Sequence, residues 1–211
     1  MKFKTIIFDL DGTISDPLVG IYSSINFALE AYSYDAVDVE EVRPMIGPPL
    51  TQIFEHLIGK VSQSRMLELV EKYRERYAAV GYMENVIYEQ IPKTIAALSA
   101  HGYELGVCTS KRADYATKIV EMFQLLEHFS FVDGGDVGVH KVDQLRRLVA
   151  NGLQPDSAIM IGDREVDISA AKSNGIASVG VMWGFGSLME LQQAQPDHLL
   201  ETPKDLLTLF G

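Results

Sequence analysis

The chain has 211 residues and 47% hydrophobic residues, which is enough apolar material for a substantial buried core. Its formal net charge of −11 would repel a polyanion, so we expect no nucleic-acid partner. The single cysteine, Cys108, excludes an intramolecular disulfide and is compatible with a reducing compartment. No uncharged stretch is long enough to cross a bilayer, and Asp9 interrupts the first apolar run too early for a signal peptide. These features predict a cytoplasmic protein without a membrane partner, and they leave both a monomer and a homodimer open.

The first predicted element is an apolar strand over residues 5–8 that ends in two carboxylates, Asp9 and Asp11. Side chains alternate along an extended chain, so both carboxylates can face one site. Gly12 permits a sharp turn, and Thr13 adds a hydroxyl. Neighbouring anions stay together when a cation neutralises them or when one of them holds a proton. The pattern favours a Mg²⁺ site at which Asp9 attacks phosphorus and Asp11 transfers a proton. The plain alternative is an acidic turn.

The segment that follows has the apolar spacing of helices, at residues 20–32, 49–58 and 61–80. We predict that residues 16–85 form an inserted helical cap subdomain. Residues 1–15 and 86–211 are then predicted to form one α/β core domain.

A second apolar strand ends in two hydroxyl groups and a cation, at Thr109, Ser110 and Lys111. Thr109 can donate its O–H, and Ser110 its backbone N–H, to a phosphoryl oxygen at the start of a helix. Lys141, just before another helical pattern, can reach a phosphate oxygen while balancing the carboxylates. The ordinary alternatives are a helix cap for the hydroxyls and a solvated surface charge for the lysine.

A further strand ends in Gly162 and Asp163, and Asp167 follows four residues later. Positions i and i+4 of a helix face the same way, so we expect both carboxylates to point at the cation seen by Asp9. Acidic residues also complement the dipole at a helix N-terminus, which is the ordinary alternative.

The remaining pattern alternates buried strands with amphipathic helices. Strands are predicted at residues 5–8, 104–108, 129–132, 158–161 and 178–182, and helices at 92–100, 113–125, 141–150 and 165–174. Such alternation predicts an α/β fold, a Rossmann-like parallel sheet with helices on both faces, to which the all-α cap is added. Ligands bind beyond the carboxyl ends of such strands, where every candidate core residue lies.

Taken in order, these motifs resemble those of the haloacid dehalogenase superfamily of phosphohydrolases. Asp9-Leu10-Asp11-Gly12-Thr13 is similar to the first motif, Thr109 to the second, Lys141 to the third, and Gly162-Asp163 with Asp167 to the fourth. The resemblance covers nearly the whole chain. It departs at Val142, where relatives commonly have proline after the lysine, so it stays open whether His140 or Lys111 shares the role of Lys141.

The resemblance implies a role for each motif. Asp9 would become an aspartyl-phosphate and Asp11 would be the general acid and base. Thr109 and Lys141 would hold the phosphoryl group. The implied Mg²⁺ ligands are Asp9, the backbone carbonyl of Asp11 and Asp163, with Asp167 bound through water or behind the ligands.

The cap segment Arg43–Leu50 is similar to that of phosphoglycolate phosphatase-like and bacterial 5'-nucleotidase-like members, and Trp183–Ser187 resembles their Gly-rich loop after the last core strand. The resemblance implies a Mg²⁺-dependent phosphatase for a small phosphorylated metabolite, with phosphoglycolate leading. A 5'-nucleotidase, a phosphomutase and a non-catalytic phosphate-binding module remain alternatives. Substrate contacts are predicted at Gly12, Thr13 and Ser110 in the core and at Arg43 and Gly47 in the cap, although an ordinary surface arginine is the plainer interpretation of Arg43.

Overall fold

The computed structural model describes residues 3–135 and 139–211, so the first two residues of the predicted core domain lie outside the description. The chain folds into two compact units. The core unit comprises Met1–Asp16 and Ile87–Gly211, and the helical unit comprises Pro17–Val86. Within the described ranges, no helix combines the length and apolar character that a bilayer crossing requires.

The strands of the described residues are β1 (Thr5–Phe8), β2 (Ser15–Asp16), β3 (Val86–Ile87), β4 (Glu104–Arg112), β5 (Phe129–Gly135), β6 (Ala158–Gly162), β7 (Ala177–Val181) and β8 (His198–Leu200). Their α-helices are α1 (Leu18–Ala31), α2 (Val39–Val42), α3 (Leu50–Ile58), α4 (Gln63–Ala79), α5 (Ile91–Ala100), α6 (Ala113–Met122), α7 (Lys141–Ala150), α8 (Glu165–Ser173), α9 (Leu188–Ala194) and α10 (Asp205–Phe210). Short 3-10 turns lie at Arg43–Met45, Gly81–Glu84, Leu126–His128 and Pro155–Ser157.

Six strands form one parallel sheet in the order β5-β4-β1-β6-β7-β8. All four residues of β1 are buried, as expected for a central strand covered on both faces. Phe8, the last residue of β1, lies opposite Val107 of β4 and Ile161 of β6. The carboxyl ends of these three strands therefore meet at one edge of the sheet, and the predicted α/β class with a parallel sheet is confirmed.

The predicted element bounds differ from the structure where pairing extends past the apolar run. Strands β4 and β5 continue to Arg112 and Gly135, whereas the apolar pattern ends at residues 108 and 132. The β4–β5 register shifts between Thr109 and Arg112, so the residues between them form a bulge. The sequence analysis missed β8, α9 and α10, as well as β2, β3 and α2, and all six of these elements are short.

In the helical unit, α1, α3 and α4 begin and end close to the predicted helices. The α4 N-terminus is capped by Ser62, whose hydroxyl accepts a hydrogen bond from Arg65 N–H at 3.2 Å. A partly buried ion pair crosses the unit, because the guanidinium of Arg76 donates to both oxygens of Glu84 at 2.9 and 3.0 Å. The same guanidinium donates to Ser24 Oγ at 3.2 Å. This network joins α1, α4 and the turn after α4.

Candidate active site

The first motif forms a tight turn directly after the central strand. Asp9 N–H donates to Ile161 O at 2.8 Å, so β6 fixes the backbone of Asp9, whose side chain is only slightly exposed. The carbonyl of Leu10 then accepts from Ile14 N–H at 2.9 Å, which closes the turn. Gly12 has a φ of +85°, and a Cβ at this position would overlap the carboxylate of Asp163. Glycine is required here both for the left-handed backbone and for the close approach.

The fourth motif supplies two buried carboxylates, although not through the predicted helical spacing. Asp163 precedes α8, which begins at Glu165, so the i, i+4 argument for the pair was wrong. The two side chains are fixed separately. Asp163 Oδ2 accepts from Phe185 N–H at 2.8 Å, and its Oδ1 accepts from the Thr13 hydroxyl at 3.4 Å. Asp167 Oδ2 accepts from the backbone N–H of Arg164 at 3.0 Å.

Two lysines lie among the carboxylates. Lys141 Nζ is 2.9 Å from Asp9 Oδ1 and also pairs with Asp167, while Lys141 itself is only 1% exposed. Lys111 Nζ lies 2.8 Å from Asp11 Oδ2. The bulge in β4 contains Lys111, which accounts for the approach of its side chain to the first motif. The side chain of His140 is exposed at the start of α7, so Lys141 is the residue of this segment that reaches the carboxylates.

Burial and mutual repulsion raise the pKa of several site carboxyls. Burial, assisted by the charges of Asp167 and Asp9, raises the pKa of Asp163 to about 8. Burial also raises the pKa of Asp167 to about 6, against the opposing effect of Lys141. The pKa of Asp11 is raised by burial although Lys111 lowers it. For Lys141 burial disfavours the charged form, but Asp167 and Asp9 outweigh it and raise the pKa above its ordinary value.

The second motif is held mainly through its backbone. Thr109 is buried, and its hydroxyl accepts from Lys111 N–H at 3.3 Å. Its carbonyl accepts from Gln144 Nε2 at 3.0 Å, and the same amide donates to Asp133 O at 3.2 Å. The sequence analysis missed Gln144. The available signal was its spacing, because it follows Lys141 by three residues and therefore shares the inner face of α7. Ser110 has an exposed side chain in the bulge.

The arrangement fits a divalent cation. Among the described residues, one carboxylate oxygen from each of Asp9, Asp163 and Asp167 can lie within 4.8 Å of the others. Among the residues that the structure describes, none donates a hydrogen bond to the buried atoms Asp9 Oδ1 and Asp11 Oδ1. Lys141 Nζ nevertheless lies at ion-pair distance from Asp9 Oδ1. When all four carboxylates are ionised, they carry two more charges than the two lysines balance. A hard divalent cation with oxygen ligands would remove that excess.

The predicted cap contacts belong to the helical unit. Arg43 is exposed, and its Nε lies 3.6 Å from Glu40 Oε2, a weak surface pairing. Gly47 has a φ of +118° in the turn before α3. The proposed contacts of both residues with substrate stay predictions.

Comparison with known proteins identifies the family. The profile of haloacid dehalogenase-like hydrolases matches residues 6–181. A 5'-nucleotidase from Pseudomonas aeruginosa is 39% identical over 202 residues, which are 94% of this chain and 91% of that protein. A phosphoglycolate phosphatase from Aquifex aeolicus is 29% identical over 219 residues, covering 98% of this chain and 96% of that protein. A solved haloacid dehalogenase-like hydrolase from Streptococcus pneumoniae has a TM-score of 0.92 at 30% identity, covering 100% of this chain and 99% of that one.

These matches span nearly the whole chain and confirm the resemblance to this family. The site gathers four acidic side chains and two lysines near the carboxyl ends of the central strands. The chain therefore belongs to the haloacid dehalogenase-like hydrolase family and is a phosphatase of that family.

Proposed function

We propose that the protein is a Mg²⁺-dependent phosphatase that hydrolyses small phosphomonoesters through an aspartyl-phosphate on Asp9. The observation that carries the proposal is the convergence of Asp9, Asp163 and Asp167 within 4.8 Å, with Lys141 paired to Asp9 and Asp167. An anionic nucleophile can approach an anionic phosphate only where positive charge offsets their repulsion.

Asp9, the backbone carbonyl of Asp11 and Asp163 would hold the cation. Asp167 would bind it through water, or would lie next to these ligands without contacting the ion. Bound there, Mg²⁺ supplies charge neutralisation and orients a phosphate oxygen. Oxygen-only donors are the ligands that Mg²⁺ prefers.

In the first half-reaction, a carboxylate oxygen of Asp9 forms a bond to phosphorus and the bond from phosphorus to the ester oxygen breaks. Asp11 gives its proton to the leaving oxygen. The raised pKa of Asp11 favours the protonated form that this step requires. In the second half-reaction, Asp11 takes a proton from water, whose oxygen attacks phosphorus. Inorganic phosphate leaves and Asp9 returns as a carboxylate.

The phosphoryl oxygens would be held by Lys141, by the Thr109 hydroxyl and by the backbone at Gly12, Thr13 and Ser110. Lys141 is well suited to this role because its partners keep it charged and in place inside the core unit. The hydroxyl of Thr13 is already used by Asp163, so we assign its substrate contact to the backbone.

Two classes of phosphomonoester are the candidate substrates. The first prediction is phosphoglycolate or a similarly small phosphate, for which Arg43 would bind the carboxylate. The relative at 39% identity, a 5'-nucleotidase, favours nucleoside 5'-monophosphates as the second candidate. A phosphomutase would need the aspartyl-phosphate to persist, and a binding module would show no turnover.

The test measures phosphate release from p-nitrophenyl phosphate with Mg²⁺, followed by a panel of phosphoglycolate and nucleoside monophosphates. We expect EDTA and Asp9→Asn each to abolish release, while Asp156→Asn, which changes an exposed carboxylate of the same unit, leaves it unchanged. Absence of turnover by the wild-type protein on every substrate would refute the proposal. Turnover by Asp9→Asn at the wild-type rate would refute the nucleophile.

A further inference from the structure

The loop from Trp183 to Ser187, here the 183–187 loop, lies against two parts of the active site without belonging to any of the catalytic motifs. It follows β7 and ends where α9 begins. Within the core unit it contacts the turn of the first motif and the carboxylate of the fourth.

The contact with the first motif is made by a side chain. Trp183 Nε1–H donates to the carbonyl oxygen of Thr13 at 3.0 Å. Thr13 is fully buried, so removal of the indole N–H would take a hydrogen-bond donor away from a carbonyl inside the fold. The indole therefore fixes the end of the turn that carries Asp9 and Asp11.

The contact with the fourth motif is made by backbone. Phe185 N–H donates to Asp163 Oδ2 at 2.8 Å. Between the two donors, Gly184 passes so close that a Cβ there would overlap both the carbonyl oxygen of Gly12 and Cβ of Asp163. Only glycine lets one loop touch the turn and the carboxylate together.

We propose that the 183–187 loop is a clamp that sets the separation between the first-motif turn and Asp163, and that Trp183 is a positioning residue for cation affinity. The inference rests on the cation site of the proposed function. The carboxylates of Asp9 and Asp163 repel one another once both are ionised, and the fold brings them together before any cation binds. A clamp that holds them in place lowers the reorganisation needed on binding, which raises affinity without contacting the ion.

The chain contains one tryptophan, so its fluorescence reports this loop alone. Binding of Mg²⁺ between the two clamped segments should change the emission of Trp183 in the wild-type protein. The signal requires no substrate and no turnover. It therefore separates the clamp from the catalytic proposal.

The decisive experiment measures the Kd of Mg²⁺ alone by calorimetry for the wild-type protein, Trp183→Phe, Gly184→Ala and Tyr103→Phe. Trp183→Phe removes the N–H and keeps an aromatic ring, while Gly184→Ala separates the same segments from the backbone side. Tyr103→Phe is the matched control, because it removes a buried donor to a carbonyl, Phe210 O at 2.6 Å, elsewhere in the core unit.

We expect Trp183→Phe to weaken Mg²⁺ binding about threefold to tenfold, the equivalent of one net hydrogen bond. Gly184→Ala should weaken it in the same direction, and Tyr103→Phe should leave the Kd unchanged. The KM for p-nitrophenyl phosphate at saturating Mg²⁺ should not move in Trp183→Phe.

A Kd in Trp183→Phe within twofold of the wild-type value would overturn the clamp, as would Trp183 emission that ignores Mg²⁺ binding seen by calorimetry. Equal weakening in Tyr103→Phe would also overturn it, because general loosening would then explain the effect. If the wild-type protein binds Mg²⁺ yet hydrolyses no phosphomonoester, the catalytic proposal fails while the clamp is still judged by these affinities.

Discussion

Without a divalent cation, the protein should lose stability as the pH rises from 5 to 7. Asp163 ionises with a pKa of about 8 in the folded protein, against an ordinary value of 3.8. Between these values the folded state keeps a proton that the unfolded state has released, so the free energy of unfolding falls as the pH rises. Each pH unit corresponds to about 1.4 kcal/mol for one proton, so Asp163 alone accounts for about 3 kcal/mol over this range.

The other shifted groups do not reverse the sign. Asp167, with a pKa of about 6, and Asp11, whose pKa is also raised, act in the same direction. The raised pKa of Lys141 has no effect here, since its ammonium stays charged in both states below the ordinary value of 10.5. Mg²⁺ takes the place of the protons, so its stabilising effect should grow from pH 5 to pH 8.

Urea denaturation of the wild-type protein and Asp163→Asn, in EDTA and then in Mg²⁺, measures these effects. Asp163→Asn keeps an oxygen that can accept from Phe185 N–H and removes the titrating charge. Its stability in EDTA should therefore depend less steeply on pH, and Mg²⁺ should stabilise it less. The histidines and surface charges are common to both proteins and cancel in the comparison. Equal pH slopes for the two proteins in EDTA, or a wild-type stability that rises from pH 5 to pH 7, would refute the reasoning.

Two further substitutions test the charge networks. Lys141→Met leaves the buried carboxylates of Asp9 and Asp167 without the ammonium that pairs with them, so we expect the unfolding free energy to fall by about 3–5 kcal/mol at pH 7 in EDTA. The loss should be smaller at pH 5, where protons neutralise the carboxylates instead. Urea denaturation at both pH values checks this, and equal losses would contradict it. Glu84→Gln weakens the bidentate ion pair with Arg76 in the helical unit and should lower the unfolding free energy by about 1–2 kcal/mol in the same assay. Its control, Glu75→Gln, changes an exposed partner of Lys72 and should have almost no effect. Similar losses in the two variants would argue against the partly buried pair.

The hydrophobic pattern of the sequence was enough to predict the buried strands of the fold. Strand β1 is buried throughout and three of its four residues are apolar, because both of its faces are covered, and its bounds were predicted correctly. The end of β4 was not predictable, since its last residues are polar and belong to the strand through a bulged pairing with β5. Periodicity reports burial, whereas a bulge depends on the neighbouring strand.

The candidate site shows the same division. The strand rule was enough to bring Asp9 near Asp163, because parallel strands end at one edge. The spacing of Asp163 and Asp167 led to a wrong argument, since Asp163 lies before the helix and is oriented by Phe185 N–H. A hydrogen bond from a backbone N–H does not depend on which amino acid supplies it, so it cannot be predicted from residue type. The roles of Trp183 and Gln144 likewise depend on carbonyls that are distant in sequence.

The central position of β1 also determines how extensively the core unit must unfold before the active site is disrupted. Asp9 continues a strand with hydrogen-bonded neighbours on both sides, and its own amide is bonded to β6. Amide protons on such a central strand exchange with solvent only in the rarest, most extensive fluctuations. The acidic turn is thus attached to the part of the core unit that opens last. Fraying of the edge strand β8 or of the terminal helix α10 leaves the chemistry of the site intact.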